Sequence, residues 1–260
     1  MGGRGASSSI GTMAGGGSAT LPPQADTTIQ VDNTQVAPAF SANYDKFMAM
    51  TDDEKADFIS ANIKSDVPDH LAKNDFQRFV YNSGLNEKPD IVSDDVLDKM
   101  TGKEIFRTVN SVYDKNNDLS YTGDQIAKQV MGGRYTRVSD NGGSVYGRGI
   151  YFADSYSDSA SYGNTRGNVK STAVMRGKLN SNAKVINYST ARQGVSQEIS
   201  SGSKLGKALR KSDDSASQVS IYAMAKGYNV ISSGHGYLNV LNRNAVTMSS
   251  AVKPKGSSWK

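Results

Sequence analysis

Apolar and polar positions divide the chain into a polar arm, a helical stretch and a region of short strands. Residues 1–40 are mostly Gly, Ser, Ala, Thr, Pro and Gln, with too little apolar surface to offset the entropy lost on ordering a backbone. Helix signals fill residues 41–100, and short apolar runs separated by Gly, Asn and Ser turns follow from Thr101. The pattern predicts a flexible arm over 1–40, a small helical lobe over 41–100, a compact α+β domain over 101–252 and a basic tail over 253–260.

Capping residues and glycines mark the predicted helix boundaries. Thr51 and Glu54 have capping-box spacing, which predicts a helix beginning just after Thr51. A second helix is predicted to carry Pro68 in its first turn and to stop at Gly84, and a third, SQVSIYAMAKGYN, to end at Gly227. Six runs predict strands, and with them a domain rich in antiparallel pairing: EIFRTV, GIYFAD, STAVMRGKL, KVINY, YNVIS and YLNVLN.

Length and composition limit the function classes. With 260 residues the chain can bury one substantial core beside a smaller unit, and the absence of cysteine excludes disulfides and thiolate metal sites. No apolar run approaches the roughly 20 residues that span a bilayer, and the N-terminus lacks the apolar segment of a signal peptide. We expect a soluble protein without a membrane partner. The net charge of +5, with acidic residues well mixed in, permits a nucleic-acid partner without indicating one.

The segment DKNNDLSYTGDQ, residues 114–125, has Asp and Asn side chains at the spacing of a calcium-binding loop. However, Leu119 stands where that loop needs glycine, and Gln125 stands where it needs glutamate. The better interpretation is an Asx-rich turn followed by a helix that begins with a capping box of Thr122 and Gln125. The sequence therefore predicts no metal site.

The run GRGIYFADSYSDSASYG, residues 147–163, predicts a short strand followed by a helical turn. Its side chains suit a nicotinamide ring, because Tyr151 and Tyr162 offer flat faces and Ser159 offers a hydroxyl to a carboxamide. Gly149 leaves room for a ligand to approach the main chain. The alternative is purely structural, with the apolar strand residues in the core, Tyr151 at the surface and the serines capping a helix.

The longer string YGRGIYFADSYSDSASYG closely resembles a motif of the ADP-ribosyltransferases, in particular of the poly(ADP-ribose) polymerase and diphtheria-toxin branch. The resemblance extends thinly over residues 101–252 and implies an ADP-ribosyltransferase-like split β-sandwich that uses NAD as its substrate. By position it implies that Tyr151 and Tyr162 stack on the two faces of nicotinamide. It also implies that Ser159, with the backbone at Gly149, fixes the carboxamide.

The first strand of the domain, EIFRTVN, differs from that branch, which has a histidine there. Arg107 makes it similar to the arginine-serine-glutamate branch typified by cholera toxin. The resemblance implies that Arg107 binds the pyrophosphate or a ribose hydroxyl through paired hydrogen bonds, and that its neighbour Thr108 contributes to the dinucleotide site. The alternative for Arg107 is a salt bridge at the edge of a strand.

Both branches use a glutamate near the start of a late strand, which holds a ribose hydroxyl and stabilises positive charge as the glycosidic bond breaks. In this chain Tyr237 or Gly236 aligns with that position, and neither is an acid. Glu198, in the segment ARQGVSQEISSGSK that we expect to be a loop, and His235, in a Gly-His-Gly turn, are the other polar candidates. The candidate catalytic residues are Arg107, Tyr151, Tyr237 and Glu198.

The resemblance implies a mono-ADP-ribosyltransferase that cleaves NAD at the nicotinamide–ribose bond and transfers ADP-ribose to a protein target without a metal. One alternative is a catalytically weak or dead NAD-binding fold in a structural or virion-associated role. The glycine-rich N-terminus and the helical lobe resemble bacteriophage-encoded proteins, which would act in the host cytoplasm or the virion. A second alternative is NAD hydrolysis or modification of nucleic acid, mildly favoured by the basic charge balance.

Overall fold

A computed structural model of the chain describes residues 42–63, 67, 72, 74–85, 87–113, 119–132, 145–162, 173–212 and 214–254. The predicted arm over 1–40, the calcium-like turn at 114–118 and residues 255–260 of the predicted tail lie outside the described residues. The described part is a mixed α+β structure, as the sequence predicts. No helix in that part is long and apolar enough to cross a membrane.

The described residues form nine α-helices: α1 (Ala42–Ala49), α2 (Asp52–Asn62), α3 (Asp75–Asn82), α4 (Asp94–Lys99), α5 (Gly123–Met131), α6 (Tyr156–Tyr162), α7 (Tyr188–Ser201), α8 (Lys204–Leu209) and α9 (Ser215–Ala225). They also form ten strands: β1 (Asp90–Val92), β2 (Glu104–Val109), β3 (Val112–Tyr113), β4 (Leu119–Tyr121), β5 (Ile150–Ala153), β6 (Ala173–Leu179), β7 (Val185–Asn187), β8 (Val230–Ser232), β9 (Tyr237–Val240) and β10 (Val246–Pro254). A short 3-10 helix, Arg243–Ala245, precedes the last strand.

Eight strands form one mixed sheet in the order β1-β10-β6-β2-β5-β9-β8-β7, and β3 and β4 form a separate pair. β2 pairs with β6 along its whole length, from Glu104 to Val109. In contrast, β2 pairs with β5 only through Phe106 and Ala153. The four strands on each side of this junction are therefore joined through a single residue pair. The outer strands β1 and β7 pair in parallel with their neighbours, whereas the inner pairs are antiparallel.

Two predicted capping boxes are confirmed, and one predicted helix start is wrong. Thr51 caps α2 and Thr122 caps α5, each with the complete reciprocal pair of hydrogen bonds. The helix predicted from Pro68 begins instead at Asp75. Its cap, Asn74, has extended backbone angles, φ −133° and ψ 166°, through which a helix cannot continue. Pro68 itself lies outside the described residues.

The segment around Glu198 is helical, which corrects the prediction of a loop. α7 buries only small or short side chains, Ala191, Gly194 and Val195, so its sequence shows little helical periodicity. Gly194 allows a close approach, because a Cβ there would lie 2.1 Å from the hydroxyl oxygen of Tyr222 on α9. Packing against α8 and α9 therefore stabilises a helix that local pattern does not indicate.

The helices and the sheet share one hydrophobic core. α2 packs against α8, and α3 packs against α9. The rings of Phe47 on α1 and Phe79 on α3 lie 6.0 Å apart in an edge-on arrangement, and both side chains are almost fully buried. β1 then joins the sheet by pairing with β10. Residues 41–100 thus supply helices and a strand to the same folded unit.

Candidate functional site

A hydroxyl pair joins β2 to α6. Thr108 Oγ1 and Ser159 Oγ lie 3.0 Å apart, and Ser159 is only 3% exposed. Side chains alternate along a strand, so Thr108 shares a face with Phe106, whose partner on β5 is Ala153. Tyr151, two residues before Ala153, lies on that same face. Residues from β2, β5 and α6 therefore meet on one face of the junction.

The first turn of α6 sets the position of Ser159. Ser155 Oγ accepts a hydrogen bond of 3.1 Å from the main-chain N–H three residues later, which starts the helix. The Tyr156 ring then packs edge-on against Phe106 of β2, with centroids 6.0 Å apart. These two contacts hold α6 over β2 and bring Ser159 to Thr108.

The Tyr151 hydroxyl is fixed to the turn that precedes β5. It donates to Gly147 O at 2.6 Å and accepts from Tyr146 N at 3.0 Å. Burial raises the pKa of Tyr151 above its ordinary value, so the hydroxyl keeps its proton at neutral pH. The side chain is half-buried and is not enclosed by the core. Tyr162 is the last residue of α6, and its side chain lies outside the described residues, so its stacking stays a prediction.

The same turn is attached to α9. Ser220 Oγ donates to Arg148 O at 2.6 Å and accepts from Arg148 N at 2.7 Å. Arg148 Nε also forms an ion pair of 2.7 Å with Asp214, the cap of α9. Burial opposes ionisation of Asp214, but the hydrogen bonds that it accepts outweigh burial and hold its pKa below the ordinary value. The turn is therefore held in place from two sides before any ligand binds.

Gly149 is required by the packing of β9. A Cβ at Gly149 would lie 2.1 Å from Asn239 Oδ1 and 2.8 Å from Val240 O. Asn239 is 1% exposed, pairs with Tyr151 across the strands and donates from Nδ2 to Tyr146 O at 2.9 Å. The space beside Gly149, which the sequence suggests for a ligand, is thus filled by Asn239. No local sequence pattern marks Asn239 or Ser220, because their roles depend on contacts across the fold.

Arg107 lies on the opposite face of β2 from Thr108, together with the core residues Ile105 and Val109. Its Nη1 donates to the main-chain oxygen of Tyr151 at 2.6 Å, which links β2 to β5 at the junction. Its Nε is enclosed and has no hydrogen-bond partner in the described structure. No described carboxylate forms an ion pair with Arg107. The contact of Arg107 is therefore with main chain rather than with a strand-edge acid.

A second arginine, Arg243, lies near enough for its charge to act on Arg107. Arg243 is 2% exposed, and its Nη1 donates to Val130 O at 3.1 Å. Burial, with the nearby charge of Arg243 adding to it, lowers the pKa of Arg107 to about 10. Arg107 still carries its proton at neutral pH, so its side chain places a positive charge at the junction. The sequence offers no pattern that would have marked Arg243.

β9 begins without an acid at the position where the resemblance to the ADP-ribosyltransferases implies a glutamate. Tyr237 begins β9, is half-buried and pairs with Ala153 of β5. Gly236 precedes it with a φ of +81°, and Gly236 O accepts a hydrogen bond of 2.9 Å from Asp154 N. His235 is exposed, and its main-chain N–H donates to Ser233 Oγ. The carboxylate that lies closest to Gly236 in this arrangement belongs to Asp154.

Glu198 is bound within the helical part of the molecule. It accepts a hydrogen bond from Ser203 and forms an ion pair of 3.1 Å with Lys226, near the end of α9. The hydrogen bond from Ser203 and the charge of Lys226 outweigh burial and hold the pKa of Glu198 below its ordinary value. These partners come from outside β2, β5 and α6, so the structure does not join Glu198 to the Thr108–Ser159 pair.

A polar groove of about 540 Å³ lies between α7 and the start of α9. Asp214, Tyr188 and Arg192 are among its lining residues, but Thr108, Tyr151 and Ser159 are not. Tyr188 connects the two regions, because its ring packs edge-on against Tyr146 with centroids 5.4 Å apart. The groove is therefore a neighbour of the candidate site and a competing place for a ligand.

The described residues contain no group of three His, Asp or Glu side chains that could hold a metal ion. Comparisons of the chain with protein-family models, with curated proteins and with solved structures found no match. The candidate site is thus defined by its own geometry: a part-buried hydroxyl pair, a fixed tyrosine and a charged arginine at the same junction. Such a set can hold a planar amide and a ring, and it can attract an anionic ligand.

Proposed function

We propose that this protein is a mono-ADP-ribosyltransferase, which cleaves NAD at the nicotinamide–ribose bond and transfers ADP-ribose to a protein target. The observation that carries the proposal is the contact between Thr108 and Ser159, on the face of the junction that also carries Tyr151. Thr108 is 51 residues before Ser159 in sequence, and the three residues lie on three different elements. Two of them belong to the motif that resembles the ADP-ribosyltransferases, and the third belongs to the strand that the same resemblance implies.

The hydroxyl pair suits the carboxamide of nicotinamide. A carboxamide both donates and accepts hydrogen bonds, and the hydroxyls of Thr108 and Ser159 can each do the same. Because Ser159 is buried, its hydrogen bond to a ligand would be protected from water. The Tyr151 ring supplies a flat face, and its fixed hydroxyl limits rotation of the ring before binding. Tyr162 is proposed for the other face on the resemblance alone.

Arg107 is proposed to act on the dinucleotide in two ways. It holds the main chain of Tyr151, and so helps to position the stacking ring. Its own positive charge, which Arg107 keeps at neutral pH, favours the pyrophosphate of NAD.

The proposed fold is an ADP-ribosyltransferase-like split β-sandwich. It is supported by the junction between β2 and β5, where one residue pair joins two sets of four strands. Because β2 and β5 pair through only one residue pair, a ligand could enter beside it and reach the side chains of Thr108 and Tyr151.

The proposed reaction breaks the bond between the ribose C1′ and the nicotinamide nitrogen. Nicotinamide leaves with the bonding electron pair as a neutral molecule, and the ribose passes through an oxocarbenium-like transition state. A nucleophilic atom of the acceptor then bonds to C1′ and releases its proton to solvent. Fixing the leaving group and orienting the ribose lower the barrier, because the reacting atoms are held in place before the bond breaks.

A second candidate function is NAD binding without efficient catalysis, in a structural or virion-associated role. The observation that favours it is the start of β9, where Gly236 and Tyr237 supply no acid and Glu198 is held elsewhere. NAD hydrolysis and modification of nucleic acid stay as further alternatives.

Incubation of the intact chain with NAD labelled in its adenine ring separates these functions. Label that becomes covalently attached to protein supports the proposed transferase. Free labelled ADP-ribose would indicate hydrolysis, and label on added nucleic acid would indicate that acceptor. Saturable binding with no release of nicotinamide would support the binding role.

A further inference from the structure

Asp154 follows the last residue of β5 and lies against Gly236, immediately before β9. A Cβ placed on Gly236 would lie 2.8 Å from Asp154 Oδ1 and 3.7 Å from Asp154 Oδ2. The space in which a side chain at position 236 would begin is therefore filled by the carboxylate of Asp154. Because Gly236 has a φ of +81°, the chain turns there in a way that admits this carboxylate and disfavours a side chain of its own.

The carboxylate of Asp154 is oriented and still partly open. Lys103, immediately before β2, donates from Nζ to Oδ2 at 2.7 Å. Within the described residues no hydrogen bond to Oδ1 is formed. The Asp154 side chain is 26% exposed, so a ligand can reach it. One oxygen is thus held by the protein while the other stays available.

Asp154 also lies between the elements of the candidate site. It connects Ala153, the β5 residue at the junction, to Ser155, which starts α6 and so positions Ser159. Along β5 it is three residues from Tyr151, a separation of about 10 Å in an extended strand.

We propose that Asp154 is the catalytic carboxylate of this site, supplied from the end of β5 instead of from β9. It accepts a hydrogen bond from a hydroxyl of the ribose next to nicotinamide, and its negative charge stabilises the positive charge that develops as the C1′–nitrogen bond breaks. The inference rests on the proposed cleavage of NAD. It replaces Tyr237 and Glu198 in the acidic role, because the former is no acid and the latter is bound by Ser203 and Lys226.

The test compares Asp154→Asn with Asp57→Asn in the intact chain, measuring NAD affinity by calorimetry, nicotinamide release by chromatography and folding by melting temperature. We expect Asp154→Asn to lower turnover by about 100-fold or more while NAD affinity changes less than about threefold. Asp57→Asn is the matched control and should retain parental turnover, because Asp57 on α2 is likewise bound by a lysine Nζ at 2.7 Å but lies outside β2, β5 and α6. Parental turnover in a folded Asp154→Asn would overturn the role of Asp154 and leave the proposed function standing.

A second variant guards against misfolding. Asp154→Ala should turn over NAD slowly. Added formate should raise the turnover of this variant but not that of the parent, because formate replaces the missing carboxylate. A folded Asp154→Ala that formate leaves unchanged would count against the catalytic role. If the parent binds NAD without releasing nicotinamide, the catalytic role is wrong. If the parent does not bind NAD at all, both the proposed function and this inference fail.

Discussion

Tyr151 combines a ring that faces the candidate site with a hydroxyl that holds the preceding turn, and substitutions can separate the two. Tyr151→Phe keeps the ring but leaves Gly147 O and Tyr146 N without this partner, which should lower the free energy of unfolding by about 1–3 kcal/mol. Its NAD affinity should stay close to that of the parent. Tyr151→Ala should also weaken NAD binding, by about 1 kcal/mol or more, through loss of the ring. Urea unfolding and calorimetry measure the two effects, and equal NAD affinity in both variants would contradict a stacking role.

Arg107 offers a second test at the scale of one residue. We expect Arg107→Lys to lose NAD affinity nearly as completely as Arg107→Ala, because an ammonium keeps the charge but not the planar guanidinium that reaches Tyr151 O. Both changes should also lower the free energy of unfolding by about 1–3 kcal/mol, since a part-buried hydrogen bond between β2 and β5 is lost. An exposed strand-edge ion pair would instead make both substitutions nearly silent in urea unfolding.

The buried hydroxyl of Tyr44 makes stability depend on pH. It accepts a hydrogen bond of 2.6 Å from Asn229 Nδ2, and burial raises the pKa of Tyr44 from 10.0 to about 12. A pKa raised by folding contributes stability that is present below the unfolded pKa and is lost as pH rises through the folded one. The parent should therefore exceed Tyr44→Phe in free energy of unfolding near neutral pH, and the difference should shrink between about pH 10 and 12. A constant difference across that range would contradict the assignment.

At the scale of elements, the sequence predicts best where the signals are local. The run EIFRTV predicts a strand, and β2 covers the same six residues, because a short run of β-branched and aromatic residues between turn residues marks it directly. α7 was missed because small side chains and packing on α9 stabilise it. β1 and β10 were missed because strand pairing across the fold defines them.

In the candidate site, too, the residues in a local motif could be predicted, and those defined by contacts across the fold could not. Tyr151 and Ser159 were found because one continuous motif contains both. The roles of Asn239 and Asp154 could not be predicted, since the first fills the space beside Gly149 and the second lies against Gly236 only once β5 and β9 are paired.

Ser220 on α9 holds the turn before β5, so removing its hydroxyl should destabilise the fold. Ser220→Ala removes the hydroxyl that bonds both Arg148 N and Arg148 O, so we expect a loss of about 1–3 kcal/mol in the free energy of unfolding. Ser196→Ala is the matched control, because Ser196 is exposed on α7 and bonds only a carbonyl of its own helix. Urea unfolding of the two variants measures the effect, and equal midpoints would show that Ser220 does not hold the turn.

At the scale of the whole molecule, the shared core makes the helices and the sheet interdependent. Phe79→Ala should lower the free energy of unfolding by about 3–5 kcal/mol. The reason is that a fully buried ring on α3 is lost from the core that also contains β-strand residues. Tyr81→Ala on the same helix, where the side chain is 42% exposed, should lower the free energy of unfolding far less. Thermal unfolding followed by far-ultraviolet and near-ultraviolet circular dichroism should give one coincident transition in the parent and in both variants. Two separate transitions would instead indicate a helical lobe that folds by itself.

The central claim is that nicotinamide binds where β2, β5 and α6 meet, and a crystal structure of the intact chain with NAD tests it most directly. The account predicts the carboxamide within about 3.5 Å of Ser159 Oγ, the ring on the face of Tyr151, and the adjoining ribose next to Asp154. A dinucleotide bound in the groove between α7 and α9, with the Thr108–Ser159 pair unchanged and untouched, would contradict it.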